Sequence, residues 1–213
     1  MTERAILVPF KANCRKSRLS GVLTQEERKR LSELMLLDVL EALRKAGALP
    51  ISYVVSSDRG ALALSRKAGA RTISERRDRG VNAAVIEGVT ALPAVDDFVV
   101  VPSDLPLLSS AELRKALLLE RSFGCVLAPS RSFNGTNLFA FPRRLVPILS
   151  YDSNSFWNHV RGAAKEGVSL AVCCGTGIIS DIDSAKDLAL LAGSRSRASS
   201  AEFAKEALAR RPS

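Results

Sequence analysis

The sequence predicts an α/β domain built on a mainly parallel sheet. Short apolar runs rich in β-branched residues alternate with longer segments whose apolar residues recur at helical spacing. The runs are uninterrupted, as in strands that are buried on both faces. This alternation is typical of βαβ units with right-handed crossovers. The chain has 213 residues, of which 46% are hydrophobic, enough to bury one good core.

Each predicted strand is one of the apolar runs, at 5–9, 51–58, 98–102, 125–129 and 168–174. The clearest helix signal is the capping box formed by Thr24 and Glu27, which begins a long amphipathic helix that ends at Gly47. Five further helices are predicted. Two cover about 60–68 and about 110–120, and one begins near Val81 or Asn82. The remaining two begin after an N-cap, which is Ser153 or Asn154 for one and Ser184 for the other.

Two segments depart from this alternation. Asn134-Gly135 is a turn dipeptide before a short apolar strand, so 130–142 is either a hairpin or an excursion at the sheet edge. At the other end, 194–200 predicts a linker into a short amphipathic helix. We therefore expect a catalytic domain over 1–193 and a linker with a C-terminal helix over 194–213. That helix is a candidate dimer contact, so a homodimer is one option.

Composition narrows the function classes. No apolar run is long enough to cross a bilayer and no signal peptide is evident, so we expect a cytoplasmic protein without a membrane partner. The net charge of +9 favours an anionic partner. Aromatic residues make up only 5% of the chain and do not interleave with the basic ones, which argues against nucleic acid. The spacing of the four cysteines argues against structural zinc.

The loop FKANCRKSRLSG lies between the first strand and the long helix, where α/β proteins receive phosphates. It matches neither the Walker A loop nor the G-x-G-x-x-G turn. Its basic side chains are either a clamp on a nucleoside triphosphate or a solvated surface. They are Lys11, Arg15, Lys16 and Arg18.

Asp104 follows the strand at 98–102 and is predicted to lie at the rim of the sheet, where ligands bind. Asp183 also lies between a strand and a helix, and two converging carboxylates suit Mg²⁺. Asp181 and Asp187 are alternatives on the same segment. A turn-forming role for Asp104 with Ser103 is the competing interpretation.

Six motifs in order resemble the 2-phospho-L-lactate guanylyltransferase family over about residues 4–192. They are PFKANCRKSRLSGVLTQEER, GVNAAV, PSDLPLL, RSFNGTNLF, SFWNHV and DIDSAKDL. The family acts in biosynthesis of the deazaflavin coenzyme F-420 in archaea and some bacteria. The resemblance implies a Rossmann-like three-layer α/β/α nucleotidyltransferase fold of the GT-A-like type, with a mainly parallel mixed sheet.

The resemblance also implies roles for individual residues. The residues that would bind GTP are Lys11, Lys16, Ser17, Arg18, Gly80 and Asn82. The implied magnesium ligands are Asp104, Asp183 and Asp58, and Lys16 joins the first two in catalysis. The acceptor, a small phosphorylated hydroxy acid, would be held by Thr136, Asn137, Ser155 and His159. His159 has no triad around it, which favours a structural or orienting role.

One stretch departs from the family, which tends to carry aromatic-Gly-x-Gly-Ser-Phe before the histidine. Here the run is YDSNSF, with Asp152 and Asn154 at the glycine positions. We expect these side chains to alter the loop, and Asp152 to repel an anionic acceptor.

The predicted reaction joins 2-phospho-L-lactate to the guanylyl group of GTP and releases pyrophosphate. The alternatives within the same class are guanylyl transfer to phosphoenolpyruvate and cytidylyl transfer to a sugar or polyol phosphate. An alternative from a different class is a nucleotide-binding regulatory domain without catalytic activity. The presence of both Asp104 and Asp183 argues against it.

Overall fold

The computed structural model describes residues 3–11 and 17–210, with Ser17 described by its backbone only. Seven strands of this part of the chain form one mixed sheet. They are β1 (Arg4–Pro9), β2 (Ser52–Ser56), β3 (Arg71–Ser74), β4 (Asp97–Val100), β5 (Val126–Pro129), β6 (Thr136–Pro142) and β7 (Ala171–Val172). Their spatial order is β3-β2-β1-β4-β6-β5-β7.

The sheet is parallel except at β6. Strands β1 to β4 pair parallel to one another, and β7 pairs parallel to β5. Strand β6 is antiparallel to both β4 and β5, so β5 and β6 form the predicted hairpin. The alternative of an edge excursion is wrong, because β6 lies inside the sheet.

Seven α-helices complete the described fold. They are α1 (Gln25–Lys45), α2 (Arg59–Lys67), α3 (Val81–Ala91), α4 (Ser110–Phe123), α5 (Ser155–Lys165), α6 (Ala185–Gly193) and α7 (Ser199–Ala209). The predicted caps at Thr24 and Ser184 are confirmed as capping boxes. Within the described residues, no helix has the length and apolar character needed to span a membrane.

Alternate residues of the strands face opposite helical layers. Ile6, Val8 and Val99 point into a cluster with α1 and α4. Leu7 and Phe98 point into the cluster on the other face, with α3 and α5. The strands are therefore buried on both faces, which is why they appear in the sequence as continuous apolar runs.

Helix α7 packs within its own chain. Its residues Ala201 and Ala204 are fully buried in a third cluster with Leu31 of α1, Leu188 of α6 and Ile182. The backbone amides at its first turn donate to the Asp38 carboxylate at 2.9 and 3.0 Å. The apolar face of α7 is thus covered by the chain itself.

Two strands differ from expectation. Strand β3 was not predicted, because it is a four-residue strand at the sheet edge whose side chains are only partly buried. Strand β7 covers two residues of the predicted 168–174 run, because it too is an edge strand and pairs only with β5.

Candidate active site

The strand order reverses at β1, with β2 on one side and β4 on the other. Crevices at such points, outside the carboxyl ends of the strands, receive ligands in open α/β sheets. The loop after β1 contains Arg18, and the turn after β4 contains Asp104. The sequence therefore brings a basic and an acidic segment to one rim.

A backbone hydrogen bond joins the two acidic segments. The amide of Ile182 donates to the carbonyl oxygen of Asp104 at 3.1 Å. Burial raises the pKa of Asp181, and the negative charges of Asp104 and Asp183 raise it further, against a lowering hydrogen bond from Asn137. The Asp181 carboxylate is thus close enough to those of Asp104 and Asp183 to be repelled by both, and the predicted pairing of Asp104 with Asp183 on one cation stays a prediction.

Glu112 holds the Asp181 segment in place. Its Oε1 accepts hydrogen bonds from the amides of Gly177 and Ile178 at 2.9 and 3.2 Å. A Cβ at Gly177 would overlap the Leu107 carbonyl and lie 2.6 Å from the Glu112 carboxylate. Only glycine permits this approach, so Glu112 and Gly177 are site residues that the sequence interpretation missed.

The carboxylates fit a divalent cation bound jointly with phosphates. Over 3–11 and 17–210, no group of three or more Asp, Glu, His and Cys residues is arranged to hold a metal ion. Mg²⁺ in nucleotide enzymes usually needs only one or two protein carboxylates, because phosphates and water complete its shell. Burial and then the charges of Asp104 and Asp183 raise the pKa of Asp181, and a bound cation would stabilise the ionised carboxylate against both.

A cavity of about 350 Å³ adjoins the acidic segment. Its charged lining consists of the cationic side chains of Arg18, Arg131 and Lys186 and the carboxylates of Asp181, Asp183 and Asp187. Arg131 also donates to the Ser180 hydroxyl at 2.8 Å, which fixes the guanidinium. Sequence reasoning missed Arg131 and Lys186, although Arg131 opens the RSFNGTNLF motif.

The residues predicted to bind GTP through the basic loop do not all lie at the same place in the structure. Lys16 and the Ser17 side chain lie outside the described residues. Lys11 is turned toward the β3 side, where its Nζ lies 2.8 Å from Glu75 Oε2 and 3.5 Å from Asp78 Oδ1. Arg18 lines the cavity beside the acidic segment, and its phosphate contact stays a prediction.

Asn82 ties α3 to the loop before α5. Its Oδ1 accepts from the Tyr151 amide at 2.7 Å, and its Nδ2 donates to Asp152 Oδ2 at 3.1 Å. Gly80 precedes it as the α3 N-cap with a φ of 90°. Base and ribose contacts for Gly80 and Asn82 stay a prediction, because both ends of the Asn82 amide already have protein partners.

The two departures from the family loop have local explanations. Asn154 is the N-cap of α5 at a φ of 60°, a left-handed conformation that asparagine tolerates nearly as glycine does. The Asp152 carboxylate is held by Asn82. Asn154 thus occupies a conformation that glycine would also adopt, and the Asp152 side chain anchors the loop, while the expected change of the loop relative to the family stays a prediction.

Three of the four predicted acceptor residues gather around the start of α5, and the fourth, Asn137, contacts the acidic segment. Ser155 and His159 are one turn apart on α5, and the His159 Nδ1 lies 3.0 Å from Thr136 Oγ1. His159 is 0% exposed, and Thr136 and Ser155 are also buried. Asn137 Nδ2 donates to Asp181 Oδ1 at 3.1 Å and so supports the acidic segment.

Asp58 caps α2. Its Oδ1 accepts from the amides of Gly60 and Ala61 at 2.7 and 3.0 Å. This role accounts for the carboxylate at the end of β2 without a metal, and the predicted metal contact has no further support.

Comparisons with known proteins identify the fold and the family of this chain. The fold resembles that of a protein from Desulfovibrio desulfuricans described as a nucleotide-diphospho-sugar transferase, with a TM-score of 0.74 at 18% identity over 97% of this chain and 95% of that one. The sheet order and this resemblance define a Rossmann-like α/β fold. The family described as "Guanylyl transferase CofC like" matches residues 4–207. The chain belongs to this family, and it is an enzyme.

Three relatives from other organisms are similar over most of the chain. A 3-phospho-D-glycerate guanylyltransferase of Phenylobacterium zucineum is 38% identical, covering 81% of both chains. A 2-phospho-L-lactate guanylyltransferase of Archaeoglobus fulgidus is 34% identical, covering 86% of this chain and 80% of its own. A phosphoenolpyruvate guanylyltransferase of Rubrobacter xylanophilus is also 34% identical, covering 84% and 88%. The relatives share the transferred group and differ in acceptor.

Proposed function

We propose that this enzyme transfers the guanylyl group of GTP to the phosphate of 2-phospho-L-lactate. The products are lactyl-diphospho-guanosine and pyrophosphate. One observation carries the proposal: the segment of Asp104 is hydrogen-bonded to the segment of Asp183, beside a cavity at the sheet rim that is lined by three cationic side chains as well as by carboxylates. That arrangement suits a triphosphate and its cation. The choice of GTP as the donor is supported by membership of a guanylyltransferase family.

The reaction is a direct displacement at phosphorus. A phosphate oxygen of the acceptor forms a bond to the α-phosphorus of GTP as the bond to the pyrophosphate oxygen breaks. The phosphate monoester is already anionic at neutral pH, so no side chain has to remove a proton. The protein's contribution is alignment and stabilisation of charge that develops on the leaving pyrophosphate.

Named side chains would perform these tasks. Arg18, Arg131 and Lys186 surround the cavity and would neutralise phosphate oxygens. Asp104 and Asp183, with Asp181 beside them, would hold Mg²⁺. When bound, Mg²⁺ would act as a Lewis acid on the phosphates and draw donor and acceptor together. Lys16 is proposed to assist from the basic loop.

The acceptor carboxylate is assigned to the start of α5. Asn154 makes no side-chain capping hydrogen bond there, and the first turn carries no acidic residue. The first amides of a helix attract anions, and the hydroxyls of Ser155 and Thr136 are donors of the right type beside them. A carboxylate and a phosphate on adjacent carbons could then reach α5 and the acidic rim together.

A second acceptor is favoured by a specific observation. The relative with 38% identity acts on 3-phospho-D-glycerate, which has the same two anionic groups on a three-carbon chain, one carbon further apart. Phosphoenolpyruvate is the third member of this set. All three would use the same chemistry, so the difference lies in how the pocket spaces carboxylate and phosphate.

A nucleotide-by-acceptor matrix tests the proposal. Each of the four common nucleoside triphosphates is incubated with each of the three phospho-acids and with a sugar phosphate, with and without Mg²⁺, and pyrophosphate release is measured. We expect release with GTP, Mg²⁺ and 2-phospho-L-lactate above the other acceptors. A preference for CTP with the sugar phosphate would overturn the proposal, and a preference for 3-phospho-D-glycerate would change the acceptor only.

A further inference from the structure

The chain's one histidine is buried beside Thr136, one of the residues proposed to hold the acceptor. The His159 ring is 0% exposed and packs against Phe139 and Tyr151, with ring centroids 4.5 and 5.0 Å away. Both of its ring nitrogens nevertheless have polar partners, the Ser150 amide and the Thr136 hydroxyl. A buried ring with two directional bonds has a fixed orientation.

The partners determine which nitrogen carries the proton. The backbone N–H of Ser150 can only donate, and it lies 2.9 Å from Nε2, so Nε2 must offer its lone pair. Burial lowers the pKa of His159 to about 4, so the ring is neutral at neutral pH. A neutral ring that accepts at Nε2 carries its hydrogen on Nδ1, and Nδ1 therefore donates to Thr136 Oγ1 at 3.0 Å.

We propose that His159 is a positioning residue that directs the hydroxyl hydrogen of Thr136 toward the acceptor anion. A threonine hydroxyl has one hydrogen and would give it to an unprotonated Nδ1 if it could. Because Nδ1–H donates, Thr136 accepts from the ring and keeps its own hydrogen for a ligand. This inference rests on the proposed function for the presence of an acceptor beside Thr136, whereas the state of the ring is independent of it.

The ring state is measured directly by NMR. Because the chain has one histidine, long-range ¹H–¹⁵N correlation spectra of ¹⁵N-labelled protein need no assignment. We expect a neutral ring with hydrogen on Nδ1 and an unprotonated Nε2 at pH 7. An Nε2–H tautomer or a doubly protonated ring would overturn the inference, whether or not the enzyme proves active on any acceptor.

A double-mutant cycle tests the functional coupling. Thr136→Val keeps the shape and removes the hydroxyl, and His159→Phe keeps the ring and removes both hydrogen bonds. Each change alone should raise the KM for the acceptor about tenfold, as expected for one hydrogen bond to a charged ligand, and leave the KM for GTP unchanged. In the Thr136→Val background, His159→Phe should have little further effect on the acceptor KM. Additive effects would contradict the proposed relay.

Two conservative substitutions separate positioning from packing. The amide of His159→Asn lies where Nδ1 lies and can donate to Thr136, whereas the amide of His159→Gln reaches toward the Ser150 amide. We expect the Asn variant to retain more acceptor affinity than the Gln variant. The reverse order would mean that the ring acts by anchoring the Ser150 loop. If the wild-type protein transferred no guanylyl group to any acceptor, the proposed function would be refuted. The NMR result on the protonation of the ring would not be affected.

Discussion

At the residue scale, Asp104 is the side chain on which the proposed chemistry depends most. Its carbonyl oxygen accepts a hydrogen bond from the Ile182 amide, so the backbone of Asp104 is joined to the segment that carries Asp183 by a contact that does not involve its side chain. Burial raises the pKa of the neighbouring Asp181, and the negative charge of Asp104 raises it further. A change of this one charge should therefore affect catalysis more than folding.

We expect Asp104→Asn to lower kcat at least about a hundredfold, because a metal contact can contribute several kcal/mol of transition-state stabilisation. Pyrophosphate release under saturating GTP and acceptor measures the loss. Asp58→Asn is the matched control, since asparagine caps a helix as well as aspartate does and Asp58 caps α2. Equal losses in both variants would assign Asp58 to the metal site, and full activity of Asp104→Asn would remove Asp104 from the mechanism.

The two hydroxyls near α5 should affect the acceptor alone. Ser155→Ala and Thr136→Val each remove one donor from the proposed carboxylate site. We expect kcat/KM for the acceptor to fall by an amount equivalent to roughly 1–3 kcal/mol, while the Kd for GTP stays unchanged. Isothermal titration with GTP and steady-state kinetics with the acceptor separate the two effects. A parallel loss of GTP affinity would place these hydroxyls at the nucleotide.

At the scale of elements, the site depends on how closely the loop before α6 approaches the start of α4. Glu112 is the capping-box residue of α4 and also accepts from the amides of Gly177 and Ile178. One side chain thus fixes a helix start and the loop that leads to Asp181. The glycine at 177 is required by this approach and by the neighbouring Leu107 carbonyl.

Gly177→Ala should therefore displace the acidic segment. We expect a loss of stability of roughly 1–3 kcal/mol, as for other overpacking changes, and a fall in kcat that Mg²⁺ titration does not restore. Gly193→Ala is the control, because a Cβ there meets nothing within 4 Å. Urea unfolding and pyrophosphate release are measured on both variants. Wild-type activity for Gly177→Ala would show that the loop does not position the carboxylates.

The sequence predicts structure correctly where a residue contacts only its near neighbours along the chain. The capping boxes at Thr24 and Ser184 are fixed by side chains three residues apart, so the sequence displays them directly. Strand β6 was identified, but its place between β4 and β5 depends on pairing with distant strands. The same limit applies to the site. Glu112 and Asn82 act on residues far along the chain, and no local pattern marks such contacts.

At the scale of the whole molecule, the buried His159 links stability to pH. Its pKa is lowered to about 4 in the folded protein, whereas an unfolded histidine titrates near 6.5. Between these values the unfolded chain binds a proton that the folded chain does not, so stability is fully present above about pH 6.5 and falls as the pH falls toward 4.

We expect the free energy of unfolding to fall by about 2 kcal/mol through His159 alone when the pH is lowered from 7.5 to 5. Urea unfolding of the wild type and of His159→Phe at both pH values isolates the term, because other titrating groups are common to both proteins. The variant should lose less stability over this interval than the wild type. An equal loss would mean that the ring is not held neutral in the folded state.

The central claim is guanylyl transfer to the phosphate of a three-carbon phospho-acid, and ³¹P NMR of the complete reaction tests it most directly. With GTP, Mg²⁺ and 2-phospho-L-lactate, the acceptor monoester signal and the GTP signals should decline together. A pair of coupled diphosphate signals and a pyrophosphate signal should appear in equal molar amounts. Formation of GDP with inorganic phosphate, or loss of GTP without consumption of the acceptor, would contradict the account.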